Sequence, residues 1–371
     1  MALNLTKTIN PANIESELER IWNSLQTSNK IRACLFNLII YTQRAQRNLH
    51  WIKKIIKKFP SRIMLITYDN SGQKHDLHTS VSVLSAGDTE VGGDAIACDL
   101  IEINLCNTHH RSLPFIIFPH ILPDLPVYLV YLDDPSKKNP ISHQLGLLAN
   151  RIIFDSEVAS NLSSFAKSVR KHKEECHVDI ADLNWTRTEA WRQLFATTFN
   201  SPEDLSQLRT ATKIAIYYNS KNSKNTRHTN IQPIYLQTWI AAQLDWQFTT
   251  LSKEVQIQHF FYDTTGMSTQ ISLYPSYLKN LTAGSIFAIE ITTKSKYHYL
   301  FKRSEINPNH IVINRSNPNY CLLPLCYVLD KKTTERALIK EICHKGTSMH
   351  YTTVLHMLKK IKTELSRTDD E

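Results

Sequence analysis

The chain has 371 residues, 42% hydrophobic and 21% charged. That excludes wholesale disorder and leaves room for two domains, at about 100–200 residues each. It carries 43 Lys and Arg against 34 Asp and Glu, a net charge of +9 spread along the sequence. Only 8 residues are Gly, and neither G-x-G-x-x-G nor G-x-x-x-x-G-K-[ST] occurs, which excludes the common glycine loops that cradle phosphates.

Asn10-Pro11 reads as an N-cap followed by Pro at the first helical position. Ile14, Leu18, Ile21, Trp22 and Leu25 continue at helical spacing and predict an amphipathic helix over 11–27. The apolar run Ala33–Tyr41 predicts a strand buried on both faces, and 42–58 a helix. Strands are expected at Arg62–Tyr68, Thr79–Leu84, Asp99–Leu105, Val127–Leu132 and Arg151–Phe154, with helices over 141–149 and 157–173. Leu113–Phe118 is an apolar stretch set among prolines. Alternating strands and helices predict a parallel-rich sheet over about the first 175 residues.

A polar boundary falls over 174–184. Thr186 with Glu189 reads as a capping box, placing Trp185 before the cap and Trp191, Leu194, Phe195 and Phe199 on an apolar stripe. Ser201-Pro202 with Asp204 opens a second helix, Lys213–Tyr218 is a strand, 219–230 a polar loop and 231–245 a helix. From about 254 to 327, short alternating segments predict an antiparallel sheet: Val255–Phe261, Ser268–Leu273, Ser285–Ile291, Tyr297–Arg303 and His310–Asn314. Two helices close the chain.

Catalytic motifs are scarce. No H-E-x-x-H or G-x-S-x-G occurs, and the adjacent His109 and His110 would face opposite sides of a strand. No metal and no cofactor is expected. Asp133-Asp134 and Asp155-Ser156 end buried strands at the carboxyl edge, where α/β proteins hold ligands, but both also fit turn and cap chemistry. Lys53, Lys54, Lys57, Lys58 and Arg62 form the densest basic run, read as a solvated face. It lacks the interleaved aromatics of base-stacking surfaces, which disfavours nucleic acid. Seven scattered cysteines fit a reducing compartment, and Cys321 and Cys326 read as half-buried core residues although their spacing permits a bridge. With no apolar leader and no run long enough to span a bilayer, the expected location is the cytoplasm, without a membrane partner.

The stretch Asp182-Leu183-Asn184-Trp185-Thr186-Arg187, with Trp191-Arg192, resembles the signature of the OpcA family of glucose-6-phosphate dehydrogenase assembly proteins. Arg32 with Asn37-Leu38-Ile39, Pro60-Ser61-Arg62, Glu102, Leu122-Pro123-Asp124-Leu125-Pro126-Val127 and Trp239 with Leu244 and Trp246 resemble other family elements in the same order. The chain departs where Thr188-Glu189-Ala190 replaces the usual Leu-Thr-Pro, and where Tyr128-Leu129-Val130-Tyr131 stands in place of a tryptophan pair. The resemblance implies a protein that is not an enzyme and that binds glucose-6-phosphate dehydrogenase, favouring its active oligomer. Asn184, Trp185, Arg187, Trp191 and Arg192 are the expected partner-binding residues, with the two arginines the better contact candidates.

The expected fold class is α/β. A Rossmann-like N-terminal domain with a mostly parallel sheet spans 1–178, and an α+β domain with an antiparallel sheet spans 179–371. The alternative function is a sugar-phosphate or nucleotide site at the carboxyl edge, built on Asp133, Asp134, Asp155 and Ser156.

Overall fold

Continuous apolar runs between polar breaks become strands buried on both faces. A computed structural model of the chain describes residues 7–25, 30–43, 50–69, 77–85, 95–105, 112–223, 226–264, 266–329, 334–362 and 365. The chain divides into two compact units. The first comprises Met1–Asp155, Lys171–Ala181 and Thr334–Gly346; the second Ser156–Arg170, Asp182–Thr333 and Thr347–Glu371.

A nine-stranded sheet belongs to the first unit. Its strands are β1 (Lys7–Ile9), β2 (Lys30–Arg32), β3 (Asn37–Gln43), β4 (Arg62–Tyr68), β5 (His78–Ser85), β6 (Ala95–Leu105), β7 (Val127–Leu132), β8 (Arg151–Phe154) and β9 (Asp179–Asp182). They run in the order β1-β5-β6-β4-β3-β7-β8-β9, with β2 also on β6. The central pairs β6-β4, β4-β3, β3-β7 and β7-β8 are parallel, whereas β1-β5 and β5-β6 are antiparallel. Every residue of β4 and β8 is buried, as parallel strands covered on both faces require. The strand order reverses between β3 and β7, so the topological switch point lies there. The helices of this chain half are α1 (Ile14–Ser24), α2 (His50–Lys58), α3 (Leu113–Ile117), α4 (Pro140–Leu148) and α5 (Leu162–Cys176). Buried Asn37 pins the loop before β7: its amide donates to the Leu122 carbonyl at 3.0 Å and accepts from the Leu122 N–H at 2.8 Å. Asp124 in that loop has φ +63°, a conformation Asp tolerates better than most residues.

The second unit takes in the first part of α5 and continues with α6 (Leu183–Arg187), α7 (Glu189–Thr198), α8 (Pro202–Arg209) and, after β10 (Ala211–Asn219), α9 (Ile231–Gln243). Its eight-stranded sheet adds β11 (Gln247–Glu254), β12 (Ile257–Thr264), β13 (Met267–Ser276), β14 (Ile286–Thr293), β15 (His298–Arg303), β16 (His310–Ser316) and β17 (Leu325–Val328). Their order is β11-β12-β13-β10-β14-β15-β16-β17. All pairs are antiparallel except β10-β13. Here burial alternates: Gln258, Phe260 and Tyr262 on β12 point inward, as do Tyr299 and Phe301 on β15. Phe195 of α7 stacks on Phe301 at 5.2 Å and Phe199 meets Tyr299 at 5.0 Å, which seats α7 on the covered face. Helix α10 (Thr334–Cys343) returns to the first unit, where buried Arg151 donates to Glu341 at 2.6 Å and to the Gly346 carbonyl at 2.6 Å. Helix α11 (Met349–Leu358) packs on α9 in the second.

Several expected elements shift. The first buried strand starts at Asn37 rather than Ala33, and Thr42 and Gln43 extend it; the helix after it is described only over His50–Lys58, since 44–49 lie outside the described residues. Val255 does not begin a strand. It sits in the turn between β11 and β12 with φ +55°, and β11 precedes the expected sheet boundary. The expected capping box is also corrected. Asp182, not Thr186, is the N-cap of α6: its side chain accepts from the Trp185 N–H, while Thr186 lies inside the helix and donates back to the Asp182 carbonyl.

Candidate functional site

The signature stretch folds into two short helices around one carboxylate. Asp182 is fully buried at the end of β9. Its Oδ1 accepts from the Trp185 N–H at 2.8 Å and the Ser156 hydroxyl at 3.1 Å, and its Oδ2 from the Ser156 N–H at 2.8 Å. Asn184 donates to Ser156 Oγ at 3.1 Å and accepts from Arg187 Nη1 at 2.7 Å. The guanidinium of Arg192 lies over the Trp185 ring, 3.4 Å from its centroid. Its Nη1 donates to the Trp185 carbonyl at 2.6 Å and to the Thr188 hydroxyl. Arg192 therefore holds the end of α6 against α7 through the Trp185 carbonyl, which also accepts from the Thr188 N–H at 3.2 Å and hydroxyl at 2.8 Å. Asn184, Trp185 and Trp191 are buried, whereas Arg187 and Arg192 are half-buried. Ser156, expected at a ligand edge, is instead part of this network.

The carboxyl edge of the parallel sheet is packed with aromatic rings. Tyr41 of β3 and Tyr131 of β7 stack at 5.2 Å across the switch point, and Tyr68 of β4 stacks on Tyr41 at 5.0 Å. All three are buried. Asn139, the N-cap of α4, donates to the Tyr41 hydroxyl at 2.9 Å and the Tyr131 hydroxyl at 3.3 Å. Burial, and then the Asp133 charge, push the Tyr68 phenol well above its ordinary value. Asp133 accepts from the Asp134 N–H at 2.8 Å. Buried Asp134 accepts from Ser136 through its N–H at 2.9 Å and its hydroxyl at 2.6 Å, which is turn chemistry. Asp155 follows the last residue of β8. The Asp133-Asp134 turn and the Ser156 network belong to different units.

A second buried network was not legible in the sequence. Arg62 is only 3% exposed, so it does not belong to the basic surface run. It bridges two carboxylates: Nε and Nη2 donate to Asp99 Oδ2 at 3.0 and 2.9 Å, and Nη1 to Glu15 Oε1 at 2.8 Å. Arg32 and the Trp22 indole add bonds to Asp99 at 2.6 and 2.8 Å, and His120 Nδ1 meets Glu15 Oε1 at 2.8 Å. Burial alone would raise the Glu15 carboxyl. The His120 hydrogen bond and the Arg62 charge outweigh it and hold it below its ordinary value. Only the resemblance of Pro60-Ser61-Arg62 to a family element marked this arginine in advance. Lys54, Lys57 and Lys58 do remain exposed.

In the second unit the β16-β17 margin is unusually apolar. Tyr320, Leu322, Leu323, Leu325 and Val328 are all exposed, Leu323 by 86%. Cys321 and Cys326 in the same stretch are exposed too, not half-buried in a core. Short β17 escaped the sequence reading because both its faces carry exposed residues and show no alternation. Cys106, His109 and His110 lie outside the described residues. Among the described residues, no helix is long and apolar enough to cross a membrane.

Residues 52–171 match the family model described as the glucose-6-phosphate dehydrogenase subunit N-terminal domain, of OpcA type, and residues 178–355 match its C-terminal domain. A protein of Nostoc punctiforme, provisionally named OxPP cycle protein OpcA, is 25% identical over 205 residues, 54% of this chain and 41% of the relative. A similarly named protein of Synechococcus elongatus is 25% identical over 207 residues, 54% of this chain and 44% of the relative. The matched part spans about two-fifths of the length of these relatives. Among solved structures, KijD10, a 3-ketoreductase from Actinomadura kijaniata, aligns with a TM-score of 0.49 at 9% identity, covering 87% of this chain and 95% of that one. UDP-N-acetylglucosamine 3-dehydrogenase from Acidithiobacillus ferrooxidans aligns at 0.47 and 8%, covering 90% and 97%.

Proposed function

The chain belongs to the OpcA family, whose domains are described as those of a glucose-6-phosphate dehydrogenase subunit, and on that premise we propose that it is a non-catalytic partner of that enzyme. It binds the dehydrogenase in the cytoplasm and favours its active oligomer, within the oxidative pentose phosphate pathway. To do so it needs only to bind the active state more tightly than the inactive one.

The observation that carries this reading is the tyrosine packing at the switch point. Dinucleotide-binding sheets use a glycine turn there to let the backbone approach a pyrophosphate. Here residues 44–49, which follow β3, contain no Gly, and Tyr41, Tyr68 and Tyr131 fill the strand ends. The same packing weighs against a sugar phosphate or nucleotide held by Asp133 and Asp134: Asp134 serves its own turn, and Asp133 is shared between that turn, Tyr68 and Lys137.

An assembly factor needs exposed contact groups. We assign the contact to half-buried Arg187 and Arg192 and to the apolar margin at Leu323, Leu325 and Val328. Arg and large apolar side chains are the groups that interfaces use best when desolvated. The test is the activity and oligomeric state of the host's dehydrogenase with and without this protein, under reducing conditions. Activation with a co-eluting complex is the expected result. A folded, active dehydrogenase that neither binds nor changes would overturn the reading.

A further inference from the structure

A cleft in the second unit adjoins the apolar margin and shares Tyr320 and Leu322 with it. It lies between α8 and the segment that follows β16, and it holds about 610 Å³. Small-molecule sites typically occupy about 300–1,000 Å³.

Among its lining groups, three kinds bear on a ligand. Arg315 of β16 contributes a guanidinium. Glu203 and Asp204 contribute carboxylates from the first turn of α8. Asp204 is held in place, since its Oδ2 accepts from the Ser201 hydroxyl at 2.8 Å and its N–H donates to Ser201 Oγ at 3.0 Å. Tyr297, Tyr299 and Tyr320 contribute aromatic side chains, of which Tyr320 is exposed. Tyr299 is 2% exposed and fixed against Phe199. Burial, and then the Asp204 charge, push its phenol up to about 12, so it stays a protonated donor.

We propose that this cleft binds a neutral carbohydrate. A guanidinium is a donor only and requires acceptors. Carboxylates are acceptors only and require donors. An anion would satisfy Arg315 but face Glu203 and Asp204; a cation would satisfy the carboxylates but face Arg315. A hydroxyl both donates and accepts, so a polyhydroxylated ring answers both walls without a net charge. The apolar C–H face of such a ring packs against a tyrosine ring, which offers rigid area with a polar tip. The cleft shares Tyr320 and Leu322 with the apolar margin, but the sugar titration uses this chain alone and so tests the cleft apart from dehydrogenase binding.

The experiment is isothermal titration calorimetry of the full chain with maltose, sucrose and glucose in turn. At least one should saturate with a dissociation constant on the order of 1 mM. Arg315→Met should weaken that sugar by about tenfold or more, which is about 1.4 kcal/mol. Tyr320 is more than half exposed, so Tyr320→Ala keeps the fold and should weaken binding several-fold even if Arg315→Met unfolds. Lys302→Ala, on an exposed side chain that does not line the cleft, should leave it unchanged. The proposal fails if none of the three sugars saturates. It also fails if tartrate or arginine methyl ester binds more tightly than any of them, or if Tyr320→Ala leaves the sugar affinity unaltered.

Discussion

The two sheets of this protein dispose of their surfaces in opposite ways. The nine-stranded sheet turns inward: its central strands are buried on both faces, its carboxyl edge is packed with tyrosines, and its charges are paired beneath the surface. The eight-stranded sheet covers one face with helices and leaves a margin of leucines and valine in the open. Parallel strands need cover on both faces because their crossovers lie there, whereas antiparallel strands joined by short turns can leave a face to solvent. The buried core and the proposed contact margin thus lie on different sheets.

The largest expected effect breaks the inward side. Arg62→Ala strands Asp99 and Glu15 without their shared buried cation, and should lower the unfolding free energy by about 3–5 kcal/mol in urea titration. A loss below about 1 kcal/mol would mean that Arg32 alone neutralises Asp99.

Arg192→Met is a smaller break. It removes the ring stack on Trp185 and the bond to its carbonyl, and should cost about 1–2 kcal/mol by thermal unfolding. Arg192→Lys should recover only part, because an ammonium cannot lie flat on the ring while donating to the carbonyl.

Glu15 sharpens the comparison through pH. Its folded pKa lies below the ordinary 4.5, so its contribution is present above that value and is lost as pH falls through the lowered folded one. Glu15→Gln should flatten the acid limb of the stability curve below about pH 5, measured by urea midpoints. An acid limb as steep as in the parent protein would place the pH dependence elsewhere.

The smallest effect on stability tests the outward side. Leu323→Asp changes an exposed side chain and should shift stability by no more than about 0.5 kcal/mol, yet abolish co-elution with the dehydrogenase. Retained binding would remove the β16-β17 margin from the contact surface and leave Arg187 and Arg192 as its candidates.

Local pattern carried much of the fold. Arg62–Tyr68, Val127–Leu132 and Arg151–Phe154 are strands at the limits their apolar runs define, and Ser201 caps α8 through the Asp204 N–H as Ser-Pro-x-Asp chemistry dictates. The candidate site was less legible. Asp182 took the cap expected of Thr186 because β9 delivers its carboxylate, already fixed by Ser156, to the open N–H groups of α6. The three tyrosines sit in separate strands, and nothing local in Tyr41, Tyr68 or Tyr131 says that they meet.

The sequence by itself determined the α/β class, the parallel-then-antiparallel division and the family, because periodicity and short motifs are properties of neighbouring residues. Only the tertiary structure decided which charges are buried and which apolar groups are left out. Arg62 and Lys58 look alike in a basic run, yet one is buried and the other exposed, because Asp99 and Glu15 reach the first from distant segments. Likewise α10 joins the first unit through Arg151 and Glu341, residues whose electrostatic match appears only once the chain has folded back. Burial is a property of the segments that meet, and a residue's own surroundings in sequence do not contain it.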